Sequence, residues 1–220
     1  MHNIDEARIR VISNGVNTER FKPVIREEDG IIYLGYIGNL VPWSGLDYML
    51  RSLPLVIREY PQLKFLIVGT GRYMSYLKDL ATELEINQQI IFTGSVPSAK
   101  VPEYITRCHI CYLPARRLRN ARIGISPLKI YEYLACGIPV IVTDINGLEF
   151  ITTQGVGLVV EPESSSALTK ATIELLGNPE LRSEMSRKGR KLVEKEFSWE
   201  KISADILNVI QTMNKKNKSY

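Results

Sequence analysis

Histidine is nearly absent from this sequence. Among 220 residues there are two: His2 near the N-terminus and His109 at the start of an apolar stretch. Neither builds a Ser/His/Asp set, and neither is a credible catalytic base. Cysteine is scarce too, with three copies. Cys108-His109-Ile110-Cys111 has the look of a metal or redox pair, but no second Cys/His pair exists to complete a zinc site. The segment also runs into apolar Ile110 to Leu113, where alternate side chains take opposite faces of a strand. No metal is expected. An odd cysteine count without an N-terminal apolar h-region predicts a reducing, cytoplasmic setting. No apolar run approaches the roughly 18 residues of a membrane span. Internal repeats and low-complexity segments are lacking. So is a dominant charge: the formal net charge of +4 fits an anionic small ligand or a peripheral membrane contact and does not require nucleic acid.

What is present is the material for one sizeable domain, with 45% hydrophobic residues. Strand-like and helix-like segments alternate. Strands are predicted at Arg8 to Ile12, Ile31 to Gly38, Leu63 to Val68, Ile90 to Thr93, His109 to Leu113, Pro139 to Thr143 and Gly157 to Val160. Helices are predicted at Gly45 to Glu59, Tyr73 to Leu84, Lys100 to Thr106 and Leu128 to Ala135, then from Ser164 to Leu176, Pro179 to Glu196 and Trp199 to Asn214. Near-continuous apolar strands alternating with helices indicate an α/β fold: a Rossmann-like parallel sheet with helices on both faces. Residues 1–214 read as a single domain and 215–220 as a frayed basic tail. Ligands of such sheets bind at the carboxyl ends of the strands, where Gly38, Gly69, Gly71 and Gly94 fall.

The richest segment is Ser126 to Val142. Ser126 suits an N-cap, Pro127 the first helical position, and Gly137 with Pro139 a helix stop. A helix N-terminus offers unpaired N–H groups and a positive dipole end to a phosphate. Glu132, further along the same helix, can accept two sugar hydroxyls. Phosphate plus ribose suggests a nucleotide.

The order of these signals resembles the C-terminal, donor-binding domain of retaining glycosyltransferases of the GT-B fold, family 4 (glycosyl transferases group 1). Five stretches carry the resemblance: Ser13 to Asn17 with Phe21-Lys22-Pro23; Gly35 to Leu40 followed by Trp43 to Asp47; Leu66 to Gly71; Phe92 to Pro97; and Ser126 to Val142. Together they cover roughly residues 9–210.

The resemblance implies a nucleotide-diphosphate sugar as donor substrate, no cofactor and no metal. It implies that Glu132 takes the ribose hydroxyls, that backbone around Ser95 and Val96 faces the base, and that Gly124, Ile125, Ser126, Pro127 and Leu128 face the diphosphate and sugar. Gly38, Asn39 and Gly71 belong to the donor-side glycine loops, and Lys129 is a further donor contact. An acceptor, lipid-linked in one reading, is then held by an N-terminal domain or a partner subunit that this chain does not supply, so the chain by itself is expected to bind donor and turn over slowly or not at all. Trp43 reads as a lid over the sugar or a packing staple, and Glu149 as a nucleotide neighbour or a cap of the helix that begins near Leu148.

Three features depart from the family pattern. Many members carry two glutamates with seven residues between them; Glu132 matches the second, and Gly124 stands at the first. Arg and Lys, which hold the diphosphate in many members, are replaced by Asn39 and Ser44. Arg116, Arg117, Arg119 and Arg122 in the following loop, together with Lys129, are the candidates to neutralise the diphosphate instead; the alternative for the loop is a solvated, mobile segment. A non-catalytic nucleotide-sugar module, or a subunit of a split enzyme, is therefore the alternative to a working transferase half. A phosphate-sugar epimerase of the same fold is a third reading, with no acid/base pair to name for it.

Overall fold

A computed structural model describes residues 9–25, 29–117 and 128–217, with side chains described as far as residue 213. The strands are β1 (Ile32–Ile37), β2 (Leu63–Val68), β3 (Ile90–Gly94), β4 (Ile110–Leu113), β5 (Val140–Thr143) and β6 (Gly157–Val160). The helices are α1 (Leu46–Glu59), α2 (Met74–Glu83), α3 (Val101–Arg107), α4 (Leu128–Ala135), α5 (Glu149–Thr153), α6 (Ser165–Gly177), α7 (Pro179–Leu192) and α8 (Trp199–Asn217), with a π-helical turn at Val193–Phe197. All sheet pairings are parallel and the strand order is β3-β2-β1-β4-β5-β6. The expected Rossmann-like sheet with helices on both faces is what the chain forms.

The period-2 rule divides the core in two. Ile37, Leu66, Val68, Cys111, Leu113, Val140 and Val142 point to one face, where α3, α4 and α5 add Ile105, Ile130, Tyr133 and Ile151. Leu34, Tyr36, Phe65, Ile67, Ile110, Tyr112 and Ile141 point to the other, against α1, α2 and α6. Glu132 thus belongs to a helix packed on the first face. Cys108 and Cys111 are buried, free thiols lying under Gly35, where an added Cβ would stand 2.3 Å from Cys108 Sγ. They serve packing.

One predicted strand, Arg8 to Ile12, does not form among the described residues. Residues 9–15 make no ladder with any described residue; the first pairing is a single bridge between Val16 and Ser198. Val11 is 94% exposed, so the apolar alternation that suggested a strand has no sheet to bury it. Trp199 instead lies against Gly15, where a Cβ would come within 2.8 Å of its ring.

The sheet also explains where a crevice opens. β1 pairs with β2 along its whole length, but with β4 only at Leu34–Ile110 and Gly35–Cys111. Beyond that the two strands separate, at the point where the strand order reverses direction. The last residue of β1 is left without a β4 partner, and Tyr133 of α4 fills the gap. Its hydroxyl donates to the Ile37 carbonyl at 3.1 Å and accepts from the Ile37 N–H at 2.9 Å. Tyr133→Phe keeps the ring but orphans two buried backbone groups. A loss of about 2 kcal/mol is expected, read as a lower midpoint in urea with an unchanged slope.

Candidate functional site at the carboxyl edge of the sheet

At the carboxyl edge, between the ends of β1 and β4, lies a cavity of about 650 Å³. Its floor is Ile37, Gly38 and Asn39 after β1, with Leu113 and Ala115 after β4. Leu128 and Lys129 on the first turn of α4 and Glu132 on the next form one wall, and Arg20, Phe21, Ser98 and Val101 form the rim. A second cavity, of about 710 Å³, opens at the opposite edge around Asp29, Tyr33, Arg107 and His109. Its polar groups are largely engaged with one another: Arg107 pairs with Asp29 at 3.7 Å, and His109 Nδ1 accepts from the Tyr33 N–H at 3.1 Å. The carboxyl-edge cavity is the better candidate, because it lies at the topological switch point and presents a carboxylate and an ammonium side by side.

Glu132 is partly buried there. Burial raises its carboxyl pKa above the ordinary value, and the charges of Arg20 and Lys129 pull it back in part. A carboxylate held in a cavity between two cations is a fit partner for a ligand's paired hydroxyls. Beside it, Cys136 is no nucleophile: burial first, then the Glu132 charge, push its thiol pKa up to about 12.

The glycines permit close contacts here. Gly38 has φ +147 and Gly45 has φ +70. A Cβ on Gly45 would stand 1.7 Å from the Pro114 carbonyl oxygen, so the turn that starts α1 lies directly on the loop after β4. That contact closes the far wall, where Trp43 and Ser44 line the cavity. Ser44 is buried, and its hydroxyl has no hydrogen-bond partner among the described residues.

Several expectations shift with the geometry. Arg116 does not line the cavity; it bonds Asp47 of α1 at 2.5 Å with its guanidinium over the Tyr48 ring. Arg117 pairs with Asp144 at 3.5 Å. The Arg117 pair is exposed and worth little in water, whereas the Arg116 pair is partly buried. Arg119, Arg122, Gly124, Ile125, Ser126 and Pro127 lie outside the described residues. Ser95 and Val96 are set back from the cavity, whose wall on that side comes from Ser98 and Val101, after the turn at Pro97. Gly71 also stands behind it, packed on the Leu40 carbonyl. Glu149 caps its own turn, accepting from the Gly147 N–H at 3.0 and 2.9 Å, which lowers its pKa. Arg72 lies over the Trp43 ring at 5.1 Å.

Two participants were missed. Arg20 lies in the turn capped by Asn17, whose side chain accepts the Glu19 and Arg20 N–H groups, and nothing in sequence spacing brings that turn to α4. Tyr36 reads as a core residue of β1, yet its hydroxyl reaches the cavity and meets Lys129.

Comparison with known proteins places this geometry among relatives. A family model described as glycosyl transferases group 1 matches residues 16–192. Over 214 residues the chain is 33% identical to the GDP-mannose-dependent monoacylated alpha-(1-6)-phosphatidylinositol monomannoside mannosyltransferase of Corynebacterium glutamicum, covering 91% of this chain and 55% of that protein. Among solved structures, a sucrose-phosphate synthase from Thermosynechococcus elongatus superposes with a TM-score of 0.83 at 23% identity, over 94% of this chain and 53% of that one. The C-terminal domain of a glycosyl transferase group 1 family protein from Francisella tularensis gives a TM-score of 0.73 at 22% identity, over 84% of this chain and 100% of that domain. The chain spans about half the length of the curated relatives it matches.

Proposed function

Because this chain belongs to the glycosyl transferases group 1 family, we propose that its carboxyl-edge cavity binds a nucleotide-diphosphate sugar and presents the glycosyl group to an acceptor. Glu132 carries the reading: it accepts the two ribose hydroxyls from the wall of a cavity that opens at the switch point of the sheet. Gly38 and Asn39 lie under the diphosphate, and Leu128 and Lys129 open α4 beside it. In this reading residues 1–214 are the donor-binding half of a GT-B enzyme of family 4. The acceptor is held by a further domain or partner, and transfer retains the anomeric configuration. The full match to a solved C-terminal domain and the half-length match to a mannosyltransferase support that division. The relative's name favours GDP-mannose as donor and a phosphatidylinositol glycolipid as acceptor. An enzyme of glycolipid synthesis working at the cytoplasmic membrane surface follows. Among the described residues no helix is long and apolar enough to cross a membrane, and no metal is required by the chemistry proposed.

A specific observation favours a second reading, a nucleotide-sugar module without catalysis: Asn39 and Ser44 are neutral, and Arg116 is committed to Asp47. Isothermal titration with GDP, UDP and ADP and with their sugar conjugates tests both readings together. If none binds, both fail. Adding the acceptor-binding half separates them, since sugar transfer then supports only the first.

The raised pKa of Glu132 has a consequence for stability. A carboxyl whose folded pKa lies above its unfolded value stabilises the fold while protonated, and loses that advantage as pH rises through the folded pKa. Ionised Glu132 therefore costs the empty protein stability at neutral pH. Glu132→Gln should melt at a higher temperature than the parent there, with the gap closing as pH falls through the carboxylate range. Thermal melts across pH check this. A lower melting point at neutral pH would mean that the carboxylate holds the fold together rather than awaiting a ligand.

A further inference from the structure

Two cations line the carboxyl-edge cavity among the described residues, Arg20 and Lys129, and their surroundings differ. The Arg20 guanidinium donates to the Ser98 carbonyl and lies over the Phe21 ring, at the outer rim. The Lys129 ammonium donates to the Tyr36 hydroxyl at 3.0 Å and sits 4.1 Å from the centre of the Tyr36 ring. It is also 2.5 Å from the point where a Cβ on Gly38 would stand. It therefore lies directly over the glycine turn that ends β1. The Tyr36 hydroxyl donates onward to the Asn39 carbonyl at 3.0 Å. Tyr36 is 2% exposed, so the seat is rigid. An ammonium has three N–H donors, and one goes to Tyr36. No carboxylate lies within ion-pair distance of Lys129 among the described residues.

We infer, resting on the donor-binding reading above, that Lys129 supplies the positive charge facing the donor's diphosphate and that Tyr36 is the residue that positions it. Of the other described cations near this edge, Arg116 is held by the buried Asp47, while Arg117, paired with Asp144, and Arg72, over the Trp43 ring, do not line the cavity. Positions 39 and 44 carry no charge. Ser44, which is 4% exposed and lines the same cavity, has a hydroxyl with no partner among the described residues. It offers a neutral donor to a phosphate oxygen across from the ammonium. A compact, strongly hydrated point charge suits a phosphate. Charge placed where the leaving diphosphate becomes more negative stabilises departure more than it stabilises the bound donor. Lys129 thereby takes over from a helix the neutralisation that the two absent loop cations would have given.

The test is calorimetric, on the full chain, with GDP, UDP and ADP each set against its own monophosphate. Lys129→Met should weaken the best-bound diphosphate on the order of 10-fold or more, leave the monophosphate within about threefold, and flatten the dependence of diphosphate affinity on ionic strength. Tyr36→Phe, which keeps the ring in the core, should weaken the diphosphate severalfold and spare the monophosphate. That selectivity is something a merely structural role would not produce. Equal losses for both ligands in either variant, or unchanged diphosphate affinity in Lys129→Met, overturns the inference. If Glu132→Ala abolishes binding while Lys129→Met does not, the inference falls and the donor-binding reading stands. If no nucleotide binds the parent chain, both fall.

Discussion

Glu132→Ala is expected to weaken nucleoside diphosphate binding about 100-fold without unfolding the chain. A carboxylate that accepts two hydroxyls makes two charge-assisted hydrogen bonds, each worth about 1.5–3 kcal/mol. Part of that is returned because water can enter the vacated cavity and solvate the ribose. A remainder near 2.7 kcal/mol corresponds to 100-fold. Glu132 is only partly buried and lines the cavity, while the fully buried residues of α4 are Ile130, Tyr131, Tyr133, Leu134 and Ala135, so the helix keeps its packing. The 2′-deoxy nucleotide should show a smaller penalty for the substitution than the ribonucleotide, because one of the two hydrogen bonds is already missing. Equal penalties would place Glu132 away from the ribose.

Gly45→Ala is expected to be the most damaging single substitution at this edge, at about 3–4 kcal/mol. Two causes add. The left-handed backbone, φ +70, costs an alanine about 1 kcal/mol. The new methyl would also stand 1.7 Å from the Pro114 carbonyl oxygen, and backbone on both sides would have to shift. The shift would part the Trp43–Ser44 turn from the loop after β4, loosening the Arg116–Asp47 pair and the hydrogen bond from the Arg116 N–H to the Trp43 carbonyl. Both stability and nucleotide affinity should fall, measured by urea denaturation and by titration. The contrast is Gly30→Ala, where φ is also positive but nothing lies within 4 Å; strain alone should cost about 1 kcal/mol there.

These two positions illustrate what the sequence could and could not disclose. Strand and helix periodicity located the sheet, because a doubly covered parallel strand must be apolar on both faces, and Leu63 to Val68 or Val140 to Thr143 can hardly be anything else. Glu132 stood out as the one carboxylate inside a short helix between a phosphate-type loop and a buried strand. Gly45 was legible as a helix start, but its contact with Pro114 was not, since it joins segments far apart in the chain. The same limit hid Arg20 and Tyr36. A buried tyrosine in a strand looks like core, and only the separation of β1 from β4 shows that its hydroxyl reaches the crevice. The arginine run shows a related limit: charge density is visible in a sequence, but Asp47 and Asp144, which pair with Arg116 and Arg117, come from other elements. The predicted strand Arg8 to Ile12 has strand composition, but from residue 9 on it has no neighbouring strand among the described residues, and pairing is what composition does not encode.

A crystal structure of the chain soaked with GDP-mannose or UDP-glucose tests the central claim most directly. The account predicts density between the ends of β1 and β4, with the ribose hydroxyls within hydrogen-bond reach of Glu132 and the diphosphate beside Gly38 and Lys129. Density in the opposite cavity around Asp29 and Arg107, or a nucleotide whose ribose lies away from Glu132, would contradict it.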